Sequence, residues 1–276
     1  MNCQDINSLS YTDFISLLKE ENRPSGGKAS IRTIAQNAFI TEGKKVLEVG
    51  CTNGFSSIEI QRLTGCEVVG IDINENSVNN ANKRVQEYKL NKDKISFVVA
   101  SADNIPFEDN IFDLIICGNA LSFIDNKEEA MKEMIRVLKP SGFLSMIPIW
   151  YYEEPRMEVI KKVSDVLGFD IRCTKEFDWL EFPKKNGLEL YFYETYSFDN
   201  KNENDVDEYI NSFFSQKPEL NKLDDKIVYE IKKRWKKIIL VFNENLQLTA
   251  YSIMLMRKNI VEEEVEMFTA HRRNNG

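Results

Sequence analysis

The chain has 276 residues and a single histidine, His271, which lies in a charged C-terminal tail. A histidine general base in the core is therefore not expected. The five cysteines, Cys3, Cys51, Cys66, Cys117 and Cys173, are scattered and include no C-x-x-C pair. That spacing suggests neither a disulfide framework nor a zinc site, so no metal is expected and a reducing compartment fits. No apolar run approaches the roughly 18 residues of a membrane span. The polar, acidic start lacks the basic-then-apolar pattern of a signal peptide, which makes the cytoplasm the expected location. Positive charge is also scarce: 36 Lys and Arg against 44 Asp and Glu leave a formal charge of −8. A nucleic-acid partner, which needs a basic surface, is not expected. The most basic stretch, Lys232-Lys233-Arg234-Trp235-Lys236-Lys237, reads as a solvated helix face. Internal repeats and low-complexity tracts are lacking as well.

What remains is ordinary globular material, 42% hydrophobic and 29% charged. The length suits one α/β sheet carrying an insertion. Residues 11–20 and 30–39 have helical spacing, separated by Arg23-Pro24-Ser25-Gly26-Gly27, which breaks a helix. Short apolar runs at residues 44–50, 67–73, 95–99, 112–117 and 143–149 then read as strands. Helical spacing at 56–63, 77–88 and 128–138 falls between them. Strands that alternate with helices pair in parallel through right-handed crossovers, and continuous apolar strands are covered on both faces. After residue 150 the pattern loosens. Residues 188–198 and 246–257 are the best late strands, and residues 206–215 and 224–242 between them are charged helices. Residues 260–271, with Val261, Val265 and Phe268 in one stripe, read as a short tail helix. The expected fold is α/β: a mostly parallel, Rossmann-like seven-stranded sheet with helices on both faces, N-terminal helices, and a helical insertion before the last strand.

The chemistry-bearing segment is Glu48-Val49-Gly50-Cys51-Thr52-Asn53-Gly54, between the first strand and its helix. A cofactor laid over a strand end needs a tight turn and close backbone approach, hence glycine. The helix behind offers free N–H groups and a partial positive end. Asp72 ends the second strand about twenty residues on, where a carboxylate can accept from both ribose hydroxyls. A dinucleotide fingerprint starting at Gly50 requires glycine at 52 and 55, where Thr52 and Phe55 stand. The pattern E/D-x-G-x-G-x-G, by contrast, fails only at Thr52.

Here the chain resembles the class I S-adenosylmethionine (SAM)-dependent methyltransferases, in their UbiE-like small-molecule branch. The resemblance rests on five motifs in order: residues 46–54; Gly70-Ile71-Asp72-Ile73; Ser101-Ala102-Asp103-Asn104-Ile105-Pro106-Phe107; Phe112-Asp113-Leu114-Ile115-Ile116; and Arg136-Val137-Leu138-Lys139-Pro140-Ser141-Gly142-Phe143-Leu144. It implies that Glu48, Gly50, Cys51, Thr52, Asn53 and Gly54 form the loop holding the methionine part of SAM. Asp72 is expected to bind the ribose and Ile73 to cover the adenine. Asp103, with Ala102 alongside, is expected to accept from the adenine amino group, and Asn119 to line the reacting end. The implied division is an N-terminal helical cap over residues 1–39 and a SAM-binding core over 40–150. The late strands follow over 151–258, with a helical lid at about 200–242, and a tail over 259–276.

The implied activity is methyl transfer to a small-molecule acceptor. Family members often carry a histidine shortly after strand four; here that stretch reads Leu121-Ser122-Phe123. This points to an N- or carboxyl-directed reaction rather than an alcohol-directed one, because such acceptors need little base help. Tyr151, Tyr152 and Glu153, where the chain leaves strand five, are the candidate catalytic residues, with at most one of the two tyrosines expected in the site. The other readings are a non-catalytic SAM-binding or assembly protein of the same fold, or a nicotinamide-dependent oxidoreductase, which the glycine phase disfavours. The sequence carries no statement about oligomeric state.

Overall fold

A computed structural model describes residues 3–258. The expected tail helix at 260–271 and His271 lie outside the described residues. Three helices lead in, α1 (Cys3–Ser8), α2 (Tyr11–Leu18) and α3 (Gly27–Asn37). The alternating core follows: β1 (Lys45–Val49), α4 (Phe55–Thr64), β2 (Glu67–Asp72), α5 (Glu75–Glu87), β3 (Ile95–Val99), β4 (Phe112–Ile116), α6 (Lys127–Val137) and β5 (Leu138–Met146). Then come β6 (Ile149–Tyr151), α7 (Met157–Leu167), α8 (Glu176–Lys185), β7 (Glu189–Ser197), α9 (Glu203–Ser215), α10 (Asp225–Leu246) and β8 (Thr249–Arg257).

The sheet runs β3-β2-β1-β4-β5-β8-β6, with β7 on the free flank of β8. Strands β1 to β5 are parallel, and β8 runs antiparallel to β5, β6 and β7. The eight strands occupy seven positions, because β5 and β6 share one register on β8: Met146 lies opposite Met254 and Ile149 opposite Tyr251. Pro148 interrupts the strand because it has no N–H for the ladder, but its carbonyl still accepts from Ser252 N at 3.1 Å.

Alternate residues of each strand feed two cores, one on each face. Val46, Val68 and Leu114 point into the layer covered by α3, α4 and α5. Leu47, Ile71 and Ile115 point into the layer that Met131 and Met134 of α6 and Trp179 of α8 fill. α7 and α8 occupy the stretch where the sequence pattern loosened.

A third cluster stands apart from the sheet. Phe14 and Leu18 of α2 pack with Phe214 of α9 and Trp235 of α10. The two ends of the chain's helical additions thus share one core. The basic stretch of α10 is only partly a solvated face. Arg234 turns inward, donating to the carbonyls of Ile6 and Leu9 (2.7 Å to the latter), with its guanidinium 4.4 Å from the Phe14 ring centroid.

Candidate active site

The loop after β1 is built from alternating left-handed residues. Gly50, Thr52 and Gly54 have φ of 74°, 43° and 79°. The N–H groups of Gly50 and Cys51 both donate to the Ile71 carbonyl, at 2.9 and 3.0 Å, which ties the loop to β2. A side chain at Gly50 would put its Cβ 2.6 Å from that of Ala120, so the loop's approach to the end of β4 requires glycine. Thr52 meets the same backbone demand with a β-branched side chain, which is strained there. The left-handed region costs an L-residue about 1–2 kcal/mol, and glycine returns about half of that as unfolded-state entropy. Thr52→Gly is therefore expected to stabilise by about 1 kcal/mol and raise Tm by about 2–4 °C. A lower Tm in a melting experiment refutes the strain.

Two carboxylates hold this loop. Asp72, at the end of β2, accepts from Thr52 N through Oδ2 and from Asn74 N through Oδ1, both at 2.9 Å. Asn74 in turn caps α5 through Ser77 N at 2.9 Å and donates to Asp13 of α2 at 3.1 Å. Glu48 is 6% exposed and its Oε2 accepts from Ser57 N (2.8 Å) and Ser57 Oγ (2.5 Å) in the first turn of α4. Burial pushes the Glu48 carboxyl up to about 7; bonds from Ser57 and Ser56 oppose the rise, and the charge of Asp72 adds to it.

The remaining expected residues divide into those facing outward and those facing the protein. Ile73, next to Asp72 in the chain, is an apolar side chain that is 77% exposed. Asp103 is exposed and accepts from Ser101 Oγ at 2.5 Å, while Ala102 is buried. Arg136 pins the loop beyond by donating to the Phe107 and Ile105 carbonyls at 2.8 and 2.9 Å. Asn119 Oδ1 accepts from Ser122 Oγ at 2.8 Å and from Ile149 N at 3.4 Å, which joins the ends of β4 and β6. Cys51 and Asn53 are both buried. Burial raises the Cys51 thiol well above its usual range. The Asn53 amide donates to the Glu20 carbonyl at 2.5 Å.

The three candidate catalytic residues do not converge. Tyr151 is buried and donates to Asn245 Oδ1 of α10 at 2.8 Å. Burial pushes its phenol up to about 12, against the Asn245 bond. Tyr152 is half exposed and bonds to the Gln247 carbonyl, and Glu153 is exposed.

Residues that the sequence reading did not single out connect the N-terminal segment to this loop. Arg84 of α5 donates to the Asn53 carbonyl and to Glu21, both at 2.6 Å. Asn80, one turn earlier, donates to Ser16 at 3.1 Å and to Asn53 Oδ1 at 3.3 Å. Their helical spacing of four is legible, but nothing local shows what they reach.

The Methyltransferase domain family profile matches residues 47–146, from β1 to β5. An uncharacterized protein of Haemophilus influenzae is 38% identical over 172 residues, 62% of this chain and 68% of that one. The ubiquinone/menaquinone biosynthesis C-methyltransferase UbiE of Yersinia enterocolitica is 32% identical over 134 residues, 48% of this chain; the match spans about half (52%) of UbiE. Among solved structures, the MccD protein superposes with a TM-score of 0.73 at 24% identity, covering 86% of this chain and all (100%) of that one. On its motif order and these matches, residues 47–146 of the chain are a methyltransferase domain of the class I SAM-dependent family, with S-adenosylmethionine as the cofactor.

Proposed function

We propose that this protein transfers a methyl group to a small-molecule acceptor, with N- or carboxyl-directed chemistry rather than alcohol-directed. The observation that carries the cofactor part is the run of left-handed backbone at Gly50, Thr52 and Gly54, fastened to Asp72. Bound SAM supplies an activated methyl on a sulfonium that leaves as a neutral thioether. The protein's work is then to align the acceptor and exclude water. The backbone of residues 50–54 would hold the methionine part, Asp72 the ribose and Ile73 the adenine face, with Asp103 and Ala102 at the adenine amino group and Asn119 near the reacting end. Glu48, Cys51 and Asn53 would act through the loop they brace. Of the three candidate residues at the end of β6 and just after it, Tyr152 and Glu153 remain accessible to an acceptor, whereas Tyr151 would serve as packing. The acceptor preference is supported by the absence of histidine among the described residues.

Calorimetry tests the cofactor assignment. SAM and S-adenosylhomocysteine (SAH) are expected to bind and NAD is not. NAD binding without a SAM response would refute the reading. Labelled SAM with a panel of amines, carboxylates and alcohols then tests the acceptor, with turnover confined to alcohols as the refuting result.

A further inference from the structure

Two exposed aromatic rings from different parts of the chain meet beside the loop after β4. Phe123 is 45% exposed and Phe169 37%, and their ring centroids lie 5.3 Å apart at an interplanar angle of 70°. Phe123 follows a short 3-10 turn, Ala120–Ser122, and its N–H donates to the Ala120 carbonyl at 2.9 Å. Ala120 is the residue whose Cβ a side chain at Gly50 would meet at 2.6 Å. The turn therefore touches the cofactor loop at one end and carries Phe123 at the other. Asn119, just before the turn, accepts from Ser122 Oγ at 2.8 Å and so braces it.

Phe169 reaches this place from the end of α7. It directly follows Gly168, whose φ of 82° closes that helix in the left-handed conformation. Two bonds fix the segment that Phe169 begins. Ile171 N donates to Ser164 Oγ at 3.1 Å, and Tyr151 N, at the end of β6, donates to the Thr174 carbonyl at 3.0 Å. Residues 169–174 thus run from the Phe123 ring to the end of β6, the strand whose Ile149 N donates to Asn119 at 3.4 Å. These are the carboxyl ends of the strands, where open α/β sheets bind ligands. Single exposed apolar side chains are ordinary on a protein surface. Two rings held at 70° are different, because they form a corner. A third flat group fits there against the face of one ring and the edge of the other, the arrangement that aromatic groups prefer. Small-molecule sites are lined mainly by such groups, with a few polar ones to set orientation.

We propose that Phe123 and Phe169 form the wall that takes a flat apolar group of the methyl acceptor, such as an aryl ring. This rests on the methyltransferase reading above and narrows it: the acceptor is an amine or carboxylate with an apolar body, not a short polar one. The two rings set specificity and move no proton.

SAH binding to the full chain is measured first by calorimetry. The SAH-saturated protein is then titrated with phenethylamine against ethylamine, and with phenylacetate against acetate. The aryl member of at least one pair is expected to bind about tenfold or more tightly than its short counterpart, because its ring is buried against both phenylalanines. The pair that responds identifies the head group. Phe123→Ser and Phe169→Ser are each expected to remove most of this preference while SAH affinity stays within about twofold. Phe123→Leu, which keeps apolar bulk, is expected to retain part of it. Equal binding within both pairs, or no binding of either aryl probe to the SAH complex, overturns the proposal alone. So do serine variants that keep the preference. Serine variants that lose SAH affinity overturn it too, because the rings would then serve the cofactor. Failure of the wild-type chain to bind SAH overturns the methyltransferase reading and this proposal with it.

Discussion

Asp72→Ala is expected to weaken SAM binding by about 1–3 kcal/mol, roughly five- to 150-fold, as charge-assisted bonds to the ribose are lost. From sequence, a strand-end carboxylate facing a cleft should leave the ligand-free protein equally stable. The structure revises that expectation. Asp72 already accepts two backbone N–H bonds at 2.9 Å, from Thr52 in the loop after β1 and from Asn74 in the loop after β2. A carboxylate has about four acceptor positions, so holding the loop and binding a diol are compatible. Removing it leaves two donors without their partner. Both residues are only partly buried, so water replaces some of the loss, and a cost of about 1–2 kcal/mol is expected. The variant should therefore melt about 2–6 °C lower without ligand. Asp72→Asn keeps one acceptor oxygen and should fall between. An unchanged SAM dissociation constant in a folded variant refutes the ribose assignment, and an unchanged Tm refutes the anchoring role.

The alternating core was legible because its physics is local. β1, β2 and β4 are apolar on both faces, so they read as continuous runs bounded by glycine or a helix start. The backbone demands at residues 50–54 were legible too, since positive φ selects glycine and Thr52 stands out as the exception. Less legible were elements defined by a few distant contacts. α8 buries only Trp179 and Pro183 and carries that proline inside the helix, so neither propensity nor periodicity marks it. Strand 246–257 begins later than expected because residues up to Leu246 complete the last turns of α10. For the site, residue type located Glu48, Asn53 and Tyr151, but their partners decide what they do. Ser57, Glu20 and Asn245 turn all three toward the protein.

Glu48 gives the pH dependence its sharpest handle. The folded chain holds the Glu48 proton up to about 7, against an ordinary value of 4.5. Between those values the folded state binds more protons than the unfolded state, so stability falls as pH rises. The contribution is fully present below pH 4.5 and is lost as pH passes through 7. At about 1.4 kcal/mol per pH unit it amounts to about 3 kcal/mol. Other carboxylates move the opposite way. Asp113 is lowered by Lys139, Lys45 N and Lys44 against its partial burial, and Glu133 is lowered by Arg136. The informative quantity is therefore the difference between wild type and Glu48→Gln. Glutamine keeps an acceptor for Ser57 and cannot ionise, so it mimics the neutral acid. Chemical denaturation from pH 5 to 8 should show the variant gaining on wild type by about 3 kcal/mol across the range. A flat difference would mean that Glu48 is ionised throughout and that burial does not control it. SAM affinity across the same range separates bracing from contact. A Glu48 that acts through Ser57 and the first turn of α4 leaves the variant within about threefold of wild type. One that touches the methionine ammonium loses about tenfold or more at pH 8. At 6% exposure, with Oε2 committed to Ser57, the smaller effect is expected.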